Sequence, residues 1–153
     1  MEIKFEPLSA AEIDWVAEQI VLASRFVDPG GDGSLPSLAA IDEAWVKFLE
    51  GGMSANEGAN AIVLCTGVAF GEHLVRSLGF AWFIATDDWG TDIALRARPG
   101  RGDITIFPTD YVSKRWESKE TGFFATSFKP IADTLRDSAI DWGDSGAEEL
   151  SRG

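Results

Sequence analysis

Between Gly79 and Pro108 the chain reads as three short apolar runs separated by two turns, and this stretch restricts the fold more than any other. Phe80–Thr86 alternates Phe80, Trp82 and Ile84 with Ala81, Phe83 and Ala85, so both sets are apolar and the strand is expected to be central and covered on both sides. Thr91–Ala97 puts Ile93 and Leu95 on one side and Asp92, Ala94 and Arg96 on the other, and Asp103–Phe107 continues the apolar side with Ile104 and Ile106. Asp87-Asp88-Trp89-Gly90 and Pro99-Gly100-Arg101-Gly102 read as the turns. Connections this short force antiparallel pairing, because a parallel return needs roughly a dozen residues.

A long apolar helix precedes the strands. Ser54 and Glu57 are spaced as a capping box. Ala59, Ile62, Val63, Phe70, Leu74 and Leu78 then recur at helical spacing, and Gly79 stops the run. Gly67 and Gly71 share one side of this helix, where glycine costs about 1 kcal/mol. Such a pair points to a close backbone approach, against the sheet or against a ligand lying on the bare backbone.

The flanks read as helices. Glu2–Glu6 alternates like a short strand, and Ser9 with Glu12 opens a helix from Ala10 to Phe26 with a stripe of Ile13, Val16, Ala17, Ile20 and Val27. A loop of Asp, Pro, Gly and Ser follows, and Leu38, Ile41, Trp45, Phe48 and Leu49 mark a second helix ended by Gly51-Gly52. Pro108 opens a helix with Val112 and Trp116 inward and Lys114 and Arg115 solvated. Thr121–Ser127 reads as a connector, with Ser127 capping a last helix that has Pro130 in its first turn. The expected fold is α+β: one domain over 1–142, with a three- to four-stranded antiparallel sheet flanked by about five helices. An acidic mobile tail over 143–153 should follow.

Net charge is −12, distributed unevenly: acids outnumber bases 11 to 3 through Glu57, 8 to 8 from Gly58 to Ala132, and 6 to 2 thereafter. Such a field opposes nucleic acid, which needs a basic footprint, and steers a basic protein partner toward the chain. The first residues are charged rather than an apolar leader, and no run is expected to reach the roughly 20 apolar residues of a membrane helix. The single cysteine, Cys65, reads as a buried apolar residue in a reducing cytoplasm.

Chemical motifs are sparse. His73 is the only histidine, and its spacing from Cys65 puts about 12 Å of helix between them, too far for a nucleophile pair. Glu72, Asp87, Asp88 and Asp92 are the carboxylates that an acid–base or divalent-cation site would draw on. Their spacing is not that of a calcium loop, and turn aspartates ordinarily serve turn geometry, so no metal and no cofactor are expected. Arg96, Arg98 and Arg101 give one hairpin a positive end able to grip an anion. Among six tryptophans, Trp89 stands at a turn and should be exposed. With Asp87 and Asp88 it forms a candidate contact surface, since tryptophan is enriched at interaction hot spots.

Gly67-Val-Ala-Phe-Gly-Glu-His-Leu, Gly79-Phe-Ala-Trp82, Asp88-Trp-Gly90, Ile104-Thr-Ile-Phe-Pro108 and Lys114-Arg115 together resemble a bacterial family labelled domain of unknown function 3806. The resemblance covers roughly Ala59 to Leu135. It implies no established activity and no catalytic residues, and leaves the first two helices outside as accessory elements. The functional expectation is a non-catalytic protein-binding domain, in concrete form a toxin-neutralising immunity protein. The rival is a carboxylate enzyme or small-ligand binder.

Overall fold

The computed structural model describes residues 2–51, 58–97 and 104–143. The capping box at 54–57, the turn carrying Arg98 and Arg101, and the tail over 144–153 lie outside the described residues. The element order is β1 (Lys4–Pro7), α1 (Ala10–Val27), α2 (Leu38–Glu50), α3 (Ala59–Leu78), β2 (Ala81–Asp87), β3 (Gly90–Ala97), β4 (Ile104–Ile106), α4 (Pro108–Glu117) and α5 (Phe123–Gly143). The four strands pair antiparallel in the order β1-β2-β3-β4. This is the α+β arrangement expected.

Register sorts the strand side chains. Trp82 opposes Leu95, Ile84 opposes Ile93, and Leu95 opposes Ile106, so these share the side that meets the helices. Phe5, Phe83, Ala85, Ala94 and Arg96 occupy the other side. There the expectation of cover on both sides needs correction. Ala81 is exposed and Phe83 half-buried. The cover comes from the sheet itself: the Arg96 guanidinium lies 4.0 Å from the centre of the Phe5 ring, and Phe5 stands edge-on to Phe83 at 6.4 Å. A cation stacked on aromatic faces shields apolar surface that a helix would otherwise bury.

The glycines of α3 set its position. A Cβ on Gly71 would stand 2.5 Å from the Trp82 ring, and one on Gly67 would stand 2.9 Å from the Thr109 backbone. The bare side of α3 therefore meets the sheet at Gly71 and the start of α4 at Gly67, which decides for packing over a ligand on the bare backbone. Phe70, Leu74, Val68 and Ala69 are fully buried around this contact. Gly79, at φ 79°, ends the helix in the left-handed region that favours glycine. By length and composition α3 does qualify as a membrane-crossing helix, contrary to expectation, but half of its apolar window is buried inside this fold.

α1 opens with the Ser9–Glu12 capping box, whose hydrogen bonds are 2.7 and 3.2 Å. Its buried side is Val16, Gln19, Ile20, Ala23 and Ser24. Ile13, 56% exposed, and Ala17 fall outside it, because the helix docks rotated from its most apolar stripe. α2 is no accessory. Trp45 is fully buried, donates its Nε1–H to the Glu120 carbonyl at 2.9 Å, and meets Phe123 and Phe124 edge-on.

α5 begins at Phe123, earlier than the expected connector allows. Its cap comes from another helix: both carboxylate oxygens of Asp42 on α2 accept N–H bonds, from Phe124 at 2.9 Å and Ala125 at 3.0 Å. A carboxylate on those free donors satisfies them and complements the helix dipole. Ser127 is thus no cap but pairs with the Tyr111 hydroxyl. Pro130 lies inside the helix at an exposed position, where the carbonyl it leaves without a donor can meet water. Arg115 is half-buried rather than solvated, stacked 3.4 Å from the Tyr111 ring centre.

Gly71→Leu should lose about 2–4 kcal/mol in urea melts, because overpacking against Trp82 outweighs leucine's roughly 1 kcal/mol helix preference. Parental stability would mean that α3 does not lie this close to the sheet. Asp42→Ala should cost about 1–2 kcal/mol in the same assay through loss of the α5 cap; a change under a few tenths would remove that role.

Candidate functional site

The β2–β3 hairpin ends in a side-chain-capped turn. Asp87 Oδ1 accepts the Trp89 N–H at 2.8 Å and the Gly90 N–H at 3.1 Å, while Gly90 takes φ 143°. The turn thrusts Trp89 outward, where it is 86% exposed. Below it lies an open depression of about 390 Å³, walled by Ile3, Ala85, Asp87, Trp89, Asp92, Phe107 and Asp110. The register explains most of the meeting: Asp92 opposes Ala85, and Asp87 is two residues further along the same side of β2. Phe107 continues the β4 chain into α4. Asp110 lies in the first turn of α4, where a carboxylate suits the helix dipole, 3.2 Å from Lys114.

Three carboxylates, of Asp87, Asp92 and Asp110, thus line one hollow with the Trp89 indole. Asp92 is largely exposed as a residue, but partial burial of its carboxyl in the hollow pushes it above the ordinary aspartate range; the Ile93 N–H bond at 2.8 Å opposes this, and repulsion from Asp110 adds to it. Among the described residues, no three His, Cys, Asp or Glu are arranged to hold a metal ion.

The other candidates separate. Asp88 is exposed at the tip and lines no part of the hollow. Glu72 accepts from Trp82 Nε1 at 3.0 Å and from Arg76 Nε at 2.8 Å, bracing α3 on the sheet. The Trp82 that it holds stands on the helix-facing side near the start of β2, about 17 Å of strand from Asp87, which lies on the other side, so Glu72 is assigned to the helix–sheet contact and not to the turn acids. Arg96 is committed to Phe5 and Phe83 rather than to a positive hairpin end, and Arg101 lies outside the described residues. His73 donates its Nε2–H to the Pro36 carbonyl at 2.7 Å. Burial pushes the Cys65 thiol up to about 11, which keeps it an unreactive thiol.

Sequence reasoning missed Ile3, Phe107 and Asp110. Asp110 carries only the local signal of an acid after a helix-opening proline. It also missed a second hollow of about 260 Å³ on the helix-facing side of the hairpin, walled by Trp15, Leu64, Ile84 and Ile93 with Glu12 and Thr109. Thr91 and Asp92 belong to the walls of both hollows.

The family model described as Domain of unknown function (DUF3806) matches residues 42–128. The match begins within α2, earlier than the residues that carried the resemblance, and ends within α5, so it holds both Asp42 and the backbone it caps. A crystal structure of a protein from Bacteroides thetaiotaomicron at 1.50 Å resolution is similar in fold, with a TM-score of 0.60 at 17% identity. The similarity covers 92% of this chain and 48% of that protein, so this chain spans about half its length. No protein of curated function matches the sequence.

Asp92→Asn should stabilise the protein at neutral pH. The wild-type carboxyl has a folded-state pKa above its unfolded one, so its penalty is absent below about pH 4, where both states are protonated. The penalty grows as pH rises through the folded value and is complete above it. Asparagine keeps the acceptor for Ile93 N–H without the charge. Thermal melts of both proteins from acid to neutral pH should show an advantage for the variant that opens with rising pH. A constant or reversed difference would contradict the desolvation of Asp92.

Proposed function

The chain belongs to the DUF3806 family, and from the geometry of its hairpin end we propose that it acts as a non-catalytic binding domain for a basic protein partner. The observation that carries this reading is Trp89, 86% exposed directly above a hollow lined by three carboxylates. An indole held out on a short hairpin loses little conformational freedom on contact and buries a large apolar area, which suits a hot spot. Its surround suits a cation. A lysine or arginine entering the hollow would offset the desolvation and repulsion borne by Asp92, and a net charge of −12 would raise its encounter rate at low salt. A toxin-neutralising immunity protein is the narrower form of this reading, since such a protein meets its toxin as a complementary surface. Its distinguishing test is protection of the host when the basic partner is co-expressed.

A carboxylate enzyme has one observation in its favour: Asp87, Asp92 and Asp110 share a hollow in which one carboxyl is raised. If a divalent cation belongs there, Ca²⁺, Mg²⁺ or Mn²⁺ will raise the melting temperature in a concentration-dependent way that Asp92→Asn abolishes.

Trp89→Ala discriminates. It should leave the denaturant midpoint within about 0.5 kcal/mol of the parent, as exposed substitutions do, because the indole is not part of the core. Capture from the native host at low salt should recover a basic protein with the parent and lose it, at least tenfold, with the variant, a difference of about 1.4 kcal/mol. Equal recovery by both proteins, or recovery that survives high salt unchanged, would contradict a charge-steered site anchored on Trp89.

A further inference from the structure

The two hollows at the hairpin end lie on opposite sides of one ridge, the first residues of β3. Alternation along the strand puts Asp92 toward the acidic hollow and Ile93 toward the apolar one, and Thr91 and Asp92 belong to the walls of both. The apolar hollow, about 260 Å³, has room for one large side chain between Trp15, Leu64, Ile84 and Ile93. It opens because α1 and α4 flank α3 on either side and leave Leu64, near the start of α3, half-buried between them.

We infer that the apolar hollow and the acidic hollow together read an extended peptide segment of the partner in which an aromatic residue stands next to an arginine or lysine. Consecutive side chains of an extended segment point in opposite directions. A segment running along the Thr91–Asp92 edge of β3 therefore directs one side chain to the acidic side and the next to the apolar side. Charge decides which goes where: the basic residue meets Asp87, Asp92 and Asp110, and the aromatic one meets the Trp15–Leu64 wall, where edge-on aromatic contact adds to burial. This rests on the reading of the hairpin end as the docking surface. It adds the requirement for an apolar residue beside the basic one.

The test is a titration of the full chain, by backbone amide NMR in low-salt buffer, with acetyl-Gly-Phe-Arg-Gly-amide and with the same peptide carrying alanine for phenylalanine. The phenylalanine peptide should shift amides around both hollows and bind about tenfold more tightly, the equivalent of burying one aromatic side chain. Leu64→Trp, which fills the apolar hollow, should erase that preference while leaving the arginine response at Asp92 and Asp110. Leu64→Phe, a smaller increase at a residue that lines only the apolar hollow, serves the same purpose if the first variant does not fold. Equal affinity for the two peptides, or shifts confined to the acidic hollow, overturns the inference and leaves the basic-partner reading standing. If neither peptide perturbs either hollow, both fall together.

Discussion

The absence of side chains at Gly67 and Gly71 is the constraint on which the rest depends. Only with those positions bare can one side of α3 bring its backbone against Trp82 at Gly71 and, a turn earlier, against the Pro108–Thr109 backbone at Gly67. That approach fixes where β4 hands over to α4, and hence where Phe107 and Asp110 stand relative to β2 and β3. The acidic hollow is a consequence of this packing: one wall comes from the hairpin, the other from the first turn of α4, and α3 holds both. Glu72 belongs to the same assembly. Its carboxylate ties the Trp82 indole and Arg76 together across the helix–sheet contact, so a residue that resembles a catalytic acid in the sequence is a brace in the structure.

A second pair of contacts fastens the other helices. Asp42 caps α5 from α2, and Trp45, one turn further along α2, reaches the Glu120 carbonyl and both phenylalanines that open α5. These bonds join segments separated by 75 to 83 residues in sequence. The loss of free donors at the start of α5 and the satisfaction of a buried indole N–H are thereby solved by one short stretch of α2.

Local chemistry made the strands, the turn at Asp87–Gly90, the capping box at Ser9 and the stop at Gly79 legible in the sequence, because each is decided by neighbours in the chain. The exposure of Trp89 was legible for the same reason. The start of α5 was not, since its cap lies on another helix and a proline in the interior argued for a later beginning. The buried side of α1 was not, because docking against α3 prevailed over the apolar stripe and left Ile13 outside. The candidate site was half legible. Asp87, Asp92 and Trp89 are hairpin residues and could be named together. Asp110 and Phe107 join them only through the glycine-dictated placement of α3 against the sheet and α4, and Leu64 and Trp15 only through the docking of α1 on α3, and no sequence spacing records that.

The central claim is that the hairpin end, and not the braced α2–α5 side, receives a basic partner. Amide hydrogen exchange of the protein alone and with the basic partner proposed for it tests it most directly. The account predicts slowed exchange in the complex over residues 85–93 and 107–111, with α2 and α5 unchanged. Protection concentrated on α2 and α5, with the Trp89 turn exchanging as it does in the free protein, would contradict it.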